Sequence, residues 1–285
     1  MKKKRNKAKK EKPQSDQEKM STLLDNNVSR ESILAPRLKN WRADLPENTE
    51  QQIIPGKLIY VNEINDIWLE IPRYENIMWG GAWIGVIALV IPFLLASGMS
   101  VKIILSHAFS FSNGYIISTI IILWIGTFIF LSMIVLNLRM ALFVPRDQPI
   151  RFNRKRQKIY VFEHHRKAWN PWAKWPTTIK VLDWADVHGE LSRESDRYDQ
   201  GFRLYGAVCQ PGTHTVTERF IFSHATLYAA PQLQLWSHLC QYMQHKPVVM
   251  DPIYPGRPHN WAPRKGMFWP PALDAESRTA PEKDH

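Results

Sequence analysis

YIISTIIILWIGTFIFLSMIVLNL, Tyr115–Leu138, runs for 24 residues without a charged side chain. At 1.5 Å of rise per residue, a helix of that length crosses a hydrocarbon layer about 30 Å thick with a modest tilt. A second stretch, IMWGGAWIGVIALVIPFLLA at Ile77–Ala96, has 20 residues and is equally free of charge. Helices this long in water-soluble proteins carry a polar face. The two stretches therefore read as transmembrane spans, and this reading decides the fold class. The first span begins well beyond the position of a cleavable leader, so both are expected to persist in the mature protein.

Orientation follows from the distribution of Lys and Arg. The connector Ser97–Gly114 carries only Lys102, whereas Arg139, Arg146, Arg151, Arg154, Lys155, Arg156 and Lys158 follow the second span. Positive charge is retained on the cytoplasmic side, so the C-terminal part is expected in the cytoplasm and the connector, 97–114, in the periplasm. An even number of spans returns the N-terminus to the cytoplasm, in keeping with MKKKRNKAKK at its start. Trp79 and Trp83 enter the first span from that end, where an indole keeps its N–H at the wet interface and its ring in lipid.

The whole chain has 285 residues and a formal charge of +11, which favours a polyanionic partner or an anionic membrane surface. RFNRKRQKIYVFEHHRKAWNPWAKW, Arg151–Trp175, interleaves eight basic residues, one acid and three tryptophans as a nucleic-acid groove would. It begins close behind Leu138, however, so a specific nucleic-acid partner is not expected. The nearer reading is a membrane-proximal hairpin whose cations hold the topology and rest on anionic phospholipids. Trp169, Trp172 and Trp175 fit either the head-group level or a place beneath a sheet.

Residues 1–20 hold nine basic and three acidic side chains and almost nothing apolar, the composition of a disordered basic tail. A cytoplasmic N-terminal segment follows at 21–76. In it, KLIYVNEINDIWLEIPRY has the spacing of a strand followed by a short helix. Region 144–246 reads as a folded domain: PIRFN and KIYVF flank RKRQ as a hairpin, and IKVLDWADVHGEL, GFRLYGAVC and TVTERFIFS supply further strands. APQLQLWSHLCQYMQH then puts Leu235, Trp236, Leu239, Cys240 and Met243 on one helical face, with Gln and His opposite. The Pro-rich stretch 247–285 is expected to stay extended. The expected fold is an α+β membrane protein, in which a two-helix transmembrane hairpin carries a cytoplasmic antiparallel β-sheet domain capped by a C-terminal helix. A pleckstrin-like module shares that order.

Signals for chemistry are weak. Neither span holds an ionisable residue, which removes the usual basis of a proton or ion pathway. Gly81 and Gly85 form a GxxxG pair suited to close helix approach, between the two spans or between copies in a homo-oligomer. Cys209 and Cys240 are too few for a disulfide scaffold and read as buried thiols. His164 and His165 stand beside Arg166 and Lys167, whose charges oppose a metal ion, and no HExxH-type spacing occurs. There is no phosphate-binding glycine loop, dinucleotide fingerprint or nucleophile elbow. Asp183 and Asp186, on an alternating strand, would point to opposite faces. No catalytic residue, cofactor or enzymatic activity is expected.

RFNRKRQKIYVF after the second span, IKVLDWADVHGE, and LWSHLCQYM ahead of a Pro-rich tail together resemble an uncharacterised family of bacterial two-span membrane proteins. Genes of that family often lie near type VI secretion effectors and their immunity genes. The resemblance covers roughly Leu58–Trp269. It implies a membrane-anchored immunity protein of contact-dependent antagonism, binding and occluding a cognate protein toxin at the inner membrane. A membrane-tethered adaptor or anionic-lipid-binding module is the alternative.

Overall fold

The computed structural model describes residues 31–73, 81–106, 114–167, 169–195, 200–257 and 268–281. The basic tail 1–20, Trp79 and Trp261 lie outside them. In chain order the elements are β1 (Trp41–Asp44), β2 (Tyr60–Val61), β3 (Glu63–Ile64), β4 (Trp68–Ile71), α1 (Gly81–Ser106) and α2 (Gly114–Leu142). There follow β5 (Ile150–Asn153), β6 (Lys158–His164), β7 (Thr177–Asp183), β8 (Val187–Ser195), β9 (Gln200–Cys209) and β10 (Val216–Ile221). The last elements are α3 (Ala230–Met243), β11 (Tyr254–Pro255) and α4 (Pro271–Arg278). The chain is thus α+β, with two long apolar helices, antiparallel sheets and a helix behind the strands. It divides into two compact units, one built from the chain up to Ile59 with Asp183–Tyr254, the other from Tyr60–Leu182 with Pro255 onward. Region 144–246 contributes to both.

The second unit contains the helix pair. α1 and α2 have 26 and 29 residues, are long and apolar enough to cross a membrane, and have only 6% of their apolar windows buried. A core helix of a soluble protein would be covered, whereas here Ile84, Ile87, Ile91, Ile122 and Phe128 all point outward. The helices pack on each other as a hairpin. Gly85 allows this approach, since a Cβ there would stand 2.4 Å from Oδ1 of Asn137 on α2. Sequence places the connector at 97–114, but α1 continues to Ser106 and takes Lys102 into the helix, because helical hydrogen bonding does not stop where the apolar run does.

β4 leads towards α1 and α2 leads to β5, and the two strands pair antiparallel with Ile71 opposite Ile150. The helical hairpin therefore stands where a β-turn would, in a five-stranded sheet of order β3-β4-β5-β6-β7. That arrangement fixes both of its roots at one end. The β5–β6 hairpin closes as the sequence suggests: Oδ1 of Asn153 accepts the N–H of Lys155 at 3.1 Å and of Arg156 at 2.9 Å. One expectation is corrected. Among the described residues of KLIYVNEINDIWLEIPRY there is no helix; Oδ1 of Asn65 accepts the N–H of Ile67 at 2.8 Å and of Trp68 at 3.0 Å, an Asx-turn that folds the chain back into the β3–β4 pair.

The first unit is a sheet of order β1-β8-β9-β10 with α3 on β9. Gly189 of β8 pairs with Gly206 of β9, leaving a bare strip of backbone on one face. Aromatic rings fill it: a Cβ on Gly189 would stand 2.8 Å from the Trp236 indole, and one on Gly206 would stand 2.5 Å from Phe220. Trp184 and Phe222 pack on Trp236 at ring separations of 5.5 and 5.9 Å. Trp184 belongs to a 3-10 turn, Trp184–Asp186, that separates β7 from β8, so IKVLDWADVHGEL is two strands joined by a turn. α3 is buried more widely than its apolar face implies, because Gln232 and His238 are also inside. Gln232 is satisfied there: its amide donates to the His224 carbonyl at 2.8 Å and to Thr226 Oγ1 at 3.0 Å, and its oxygen accepts from Ser223.

The tail differs from expectation too. Pro271 opens a helix instead of preventing one, since proline at the first helical position lacks only an N–H that would be unpaired anyway. The resulting α4 docks on β5 and β6.

Candidate functional site

The groups most unusual for their surroundings lie in the second unit, where the membrane-type helices join the sheet. Arg73, just after β4, and Asp147, just before β5, are both buried. The backbone N–H of Arg73 donates to Asp147 Oδ1 at 2.7 Å. Its guanidinium donates from Nε to the Gln148 carbonyl and from Nη2 to the Phe162 carbonyl, each at 2.6 Å. The segments leading into α1 and out of α2 are thereby tied to each other and to β6. Burial pushes the Asp147 carboxyl up to about 6, against the lowering effect of the Arg73 N–H.

Next to this clamp, Arg151 of β5 lies opposite Glu70 of β4 in register. Both are almost completely inaccessible, and Nε of Arg151 meets Glu70 at 2.6 Å. Nη1 donates to Asp274 at 2.6 Å and to Ser277 at 2.9 Å on α4. The guanidinium also lies 4.1 Å from the Trp269 ring centre and 5.2 Å from that of Trp68. Arg257 gives Glu70 a second cation. Asn153 donates to the carbonyls of Ser277 and Thr279 at 3.1 and 2.8 Å, so orphan carbonyls at the end of α4 find donors. Trp269 meets Phe162 edge-on at 5.4 Å.

These contacts correct part of the sequence reading. Arg151 and Arg154 are buried and cannot rest on phospholipid. Arg156 donates to the carbonyls of Thr279 and Ala280, both at 3.0 Å, while Lys158 stands 4.0 Å from Glu276. Arg146 is half-buried and Lys155 is exposed in the turn. The proposed influence of these charges on topology is a separate matter, because it acts on the chain during insertion, before folding conceals any of them. Trp83 is exposed in the first turn of α1.

Arg139 lies in the last turn of α2. Its Nη1 donates to the carbonyls of Pro171 and Ala173, the latter at 2.7 Å, and its guanidinium stacks 4.4 Å from the centre of the Trp175 ring. Trp175 in turn meets His164 edge-on at 6.4 Å. The Trp-rich segment is therefore a loop held against the end of α2. Desolvation, then the positive charges of His165, Arg166 and Arg139, lower the pKa of His164. His165 Nε2 lies 2.7 Å from Thr178 Oγ1.

The first unit has its own buried pair, Glu190 with Arg219 at 2.6 Å. Asp183 is exposed and Asp186 half-buried on the 3-10 turn. Cys209 and Cys240 are free, buried thiols, and burial raises both pKa values. Among the described residues, no three His, Cys, Asp or Glu side chains form a set that could hold a metal ion.

Sequence reading missed Glu70, Arg73, Asp147 and Asp274, because only the fold gathers them. One signal was present: Glu70 in WLEI and Arg151 in IRFN are lone, opposite charges within short apolar strands.

Residues 127–263 are similar to a family of unknown function, DUF6708. That span contains the three segments RFNRKRQKIYVF, IKVLDWADVHGE and LWSHLCQYM, so the chain is like an uncharacterised family from the later part of α2 through β5–β11 and α3, and β1–β4 and α1 lie outside the match. No curated protein and no solved structure matches the chain.

Proposed function

We propose that the chain is a non-enzymatic, membrane-anchored binding protein that serves as an immunity protein in contact-dependent bacterial competition of the type VI secretion kind. It sits in the bacterial inner membrane with two spans and both termini in the cytoplasm, and it captures a cognate protein toxin by occlusion. The observation that carries the anchored part of this reading is the insertion of an outward-facing apolar hairpin between two paired strands, its roots clamped by Arg73 and Asp147. Such a mount keeps folded surfaces close to the bilayer. The buried carboxylates Glu70 and Glu190 each face an arginine, which supports structural roles for them. The toxin partner rests on the resemblance to two-span bacterial proteins encoded beside effector and immunity genes. It follows that a toxin captured by the folded units must reach the cytoplasm or the inner leaflet.

A competition assay tests the proposal. A strain lacking the gene, grown against a parent whose secretion system is firing, should lose, and the intact gene supplied in trans should restore survival. Normal competition by the deletion strain contradicts the immunity role and leaves the membrane-tethered adaptor, a reading favoured by the Trp-rich loop on Arg139.

A further inference from the structure

The loop held by Arg139 has a composition that folding within the unit does not explain. Trp169 and Trp172 are 83% and 56% exposed, although their neighbour Trp175 is half-buried against Arg139 and His164. Arg166, Lys167 and Lys174 are also exposed. The loop is ordered by its own contacts: Asn170 Oδ1 accepts the N–H of Trp172 at 3.0 Å and of Ala173 at 3.2 Å. Its position is set by a helix of membrane-crossing length, because Arg139 follows directly on the charge-free run that ends at Leu138. Leu142 and Phe143, just past Arg139, remain exposed and apolar, as residues at an apolar boundary would.

We infer that this loop is a second, peripheral membrane contact, in which Trp169 and Trp172 enter the head-group boundary while Arg166, Lys167 and Lys174 engage anionic phospholipid. The inference deepens the anchored part of the proposed function and is independent of any toxin. Three observations converge on a bilayer as the occupant. The loop is continuous with the end of α2 through the Arg139 contacts. Its exposed charges are all positive, and the one acid of the Arg151–Trp175 stretch, Glu163, is engaged by Lys180 at 3.1 Å. Indoles have an apolar body and a polar N–H and so concentrate at membrane–water interfaces. The cationic contact also moves from where sequence alone puts it. The RKRQ turn lies at one end of the β5–β6 hairpin, whereas His164, beside Trp175, lies at the other.

Depth measurement in a bilayer tests this. The full chain is reconstituted into vesicles of phosphatidylcholine, with or without phosphatidylglycerol. Spin labels are placed singly through Trp169→Cys, Lys155→Cys and Ile122→Cys, and collisions with oxygen and with a water-soluble nickel complex are compared. The buried Cys209 and Cys240 are measured as background on the unsubstituted chain. The label at 122 should be oxygen-rich and nickel-poor, that at 155 the reverse, and that at 169 should lie between them. The label at 169 should also move deeper when phosphatidylglycerol is added. Each basic residue near an anionic leaflet is enriched there about fivefold, so Lys167→Glu with Lys174→Glu should abolish that shift. A label at 169 as open to nickel as the one at 155, in both lipids, overturns the inference while the spans stand. A label at 169 shielded from both reagents also overturns it, because a protein or a second copy would then cover the loop. Nickel access at 122 would overturn the membrane reading itself, and this inference with it.

Discussion

Asp147 shows how a single residue can govern the root of the helical hairpin. It accepts the Arg73 N–H and an Asn62 amide N–H, yet burial still leaves its pKa raised to about 6. A carboxyl whose folded pKa exceeds its unfolded value, about 3.9, binds its proton more tightly in the folded state. Its stabilising contribution is complete below the unfolded pKa and is lost as pH rises through about 6. Thermal unfolding in detergent between about pH 4 and 7 should therefore show wild type losing stability relative to Asp147→Asn as pH rises. Parallel profiles would contradict the assignment. Little of this was legible in advance, because Asp147 reads as an ordinary loop acid in VPRDQP. The Glu70–Arg151 pair was partly legible as two lone charges in apolar strands. What the sequence could not disclose is that residues 81 positions apart lie face to face, because an entire helical hairpin separates them in the chain. Burial of such a pair contributes little net energy when compared with a packed apolar core. Here it also positions α4, through the second contact of Arg151 with Asp274.

At the scale of elements, the two long apolar helices were readable because hydropathy over twenty residues is a signal that later packing does not overrule. Their ends were not, since α1 runs on through Lys102. Short elements were lost to turn chemistry: Asn65 closes a hairpin where the spacing suggested a helix, and Pro271 begins one where proline density suggested extended chain. The hairpin's own packing gives a sharp contrast between two glycines. A side chain at Gly85 would collide with Asn137, whereas Gly98 has open space around it. Gly85→Leu should cost about 1–3 kcal/mol through overpacking, while Gly98→Leu should be neutral or slightly stabilising through helix propensity. Melting temperatures in one detergent measure both. Equal effects would mean that α1 and α2 do not meet at Gly85.

At the scale of the whole molecule, the notable feature is the place of the hairpin in the chain. In the sequence the two apolar stretches precede region 144–246 and read as separate from it. The structure instead inserts them into a sheet whose strands β4 and β5 come from either side of the spans. The sheet of the second unit is thereby joined to both ends of the hairpin. The similarity to a family of unknown function covers residues 127–263, from within α2 onward, while the immunity role remains the proposal that the competition assay decides.

The central proposal is that the apolar two-helix hairpin crosses the membrane and keeps both of its roots on the cytoplasmic side. Alkaline phosphatase, active only outside the cytoplasm, tests it most directly when fused after Glu282 or inserted after Ser110 in otherwise intact chains. An inactive fusion after Glu282 and an active one after Ser110 are expected. Activity after Glu282, or inactivity of a stably expressed insertion after Ser110, would contradict the proposal.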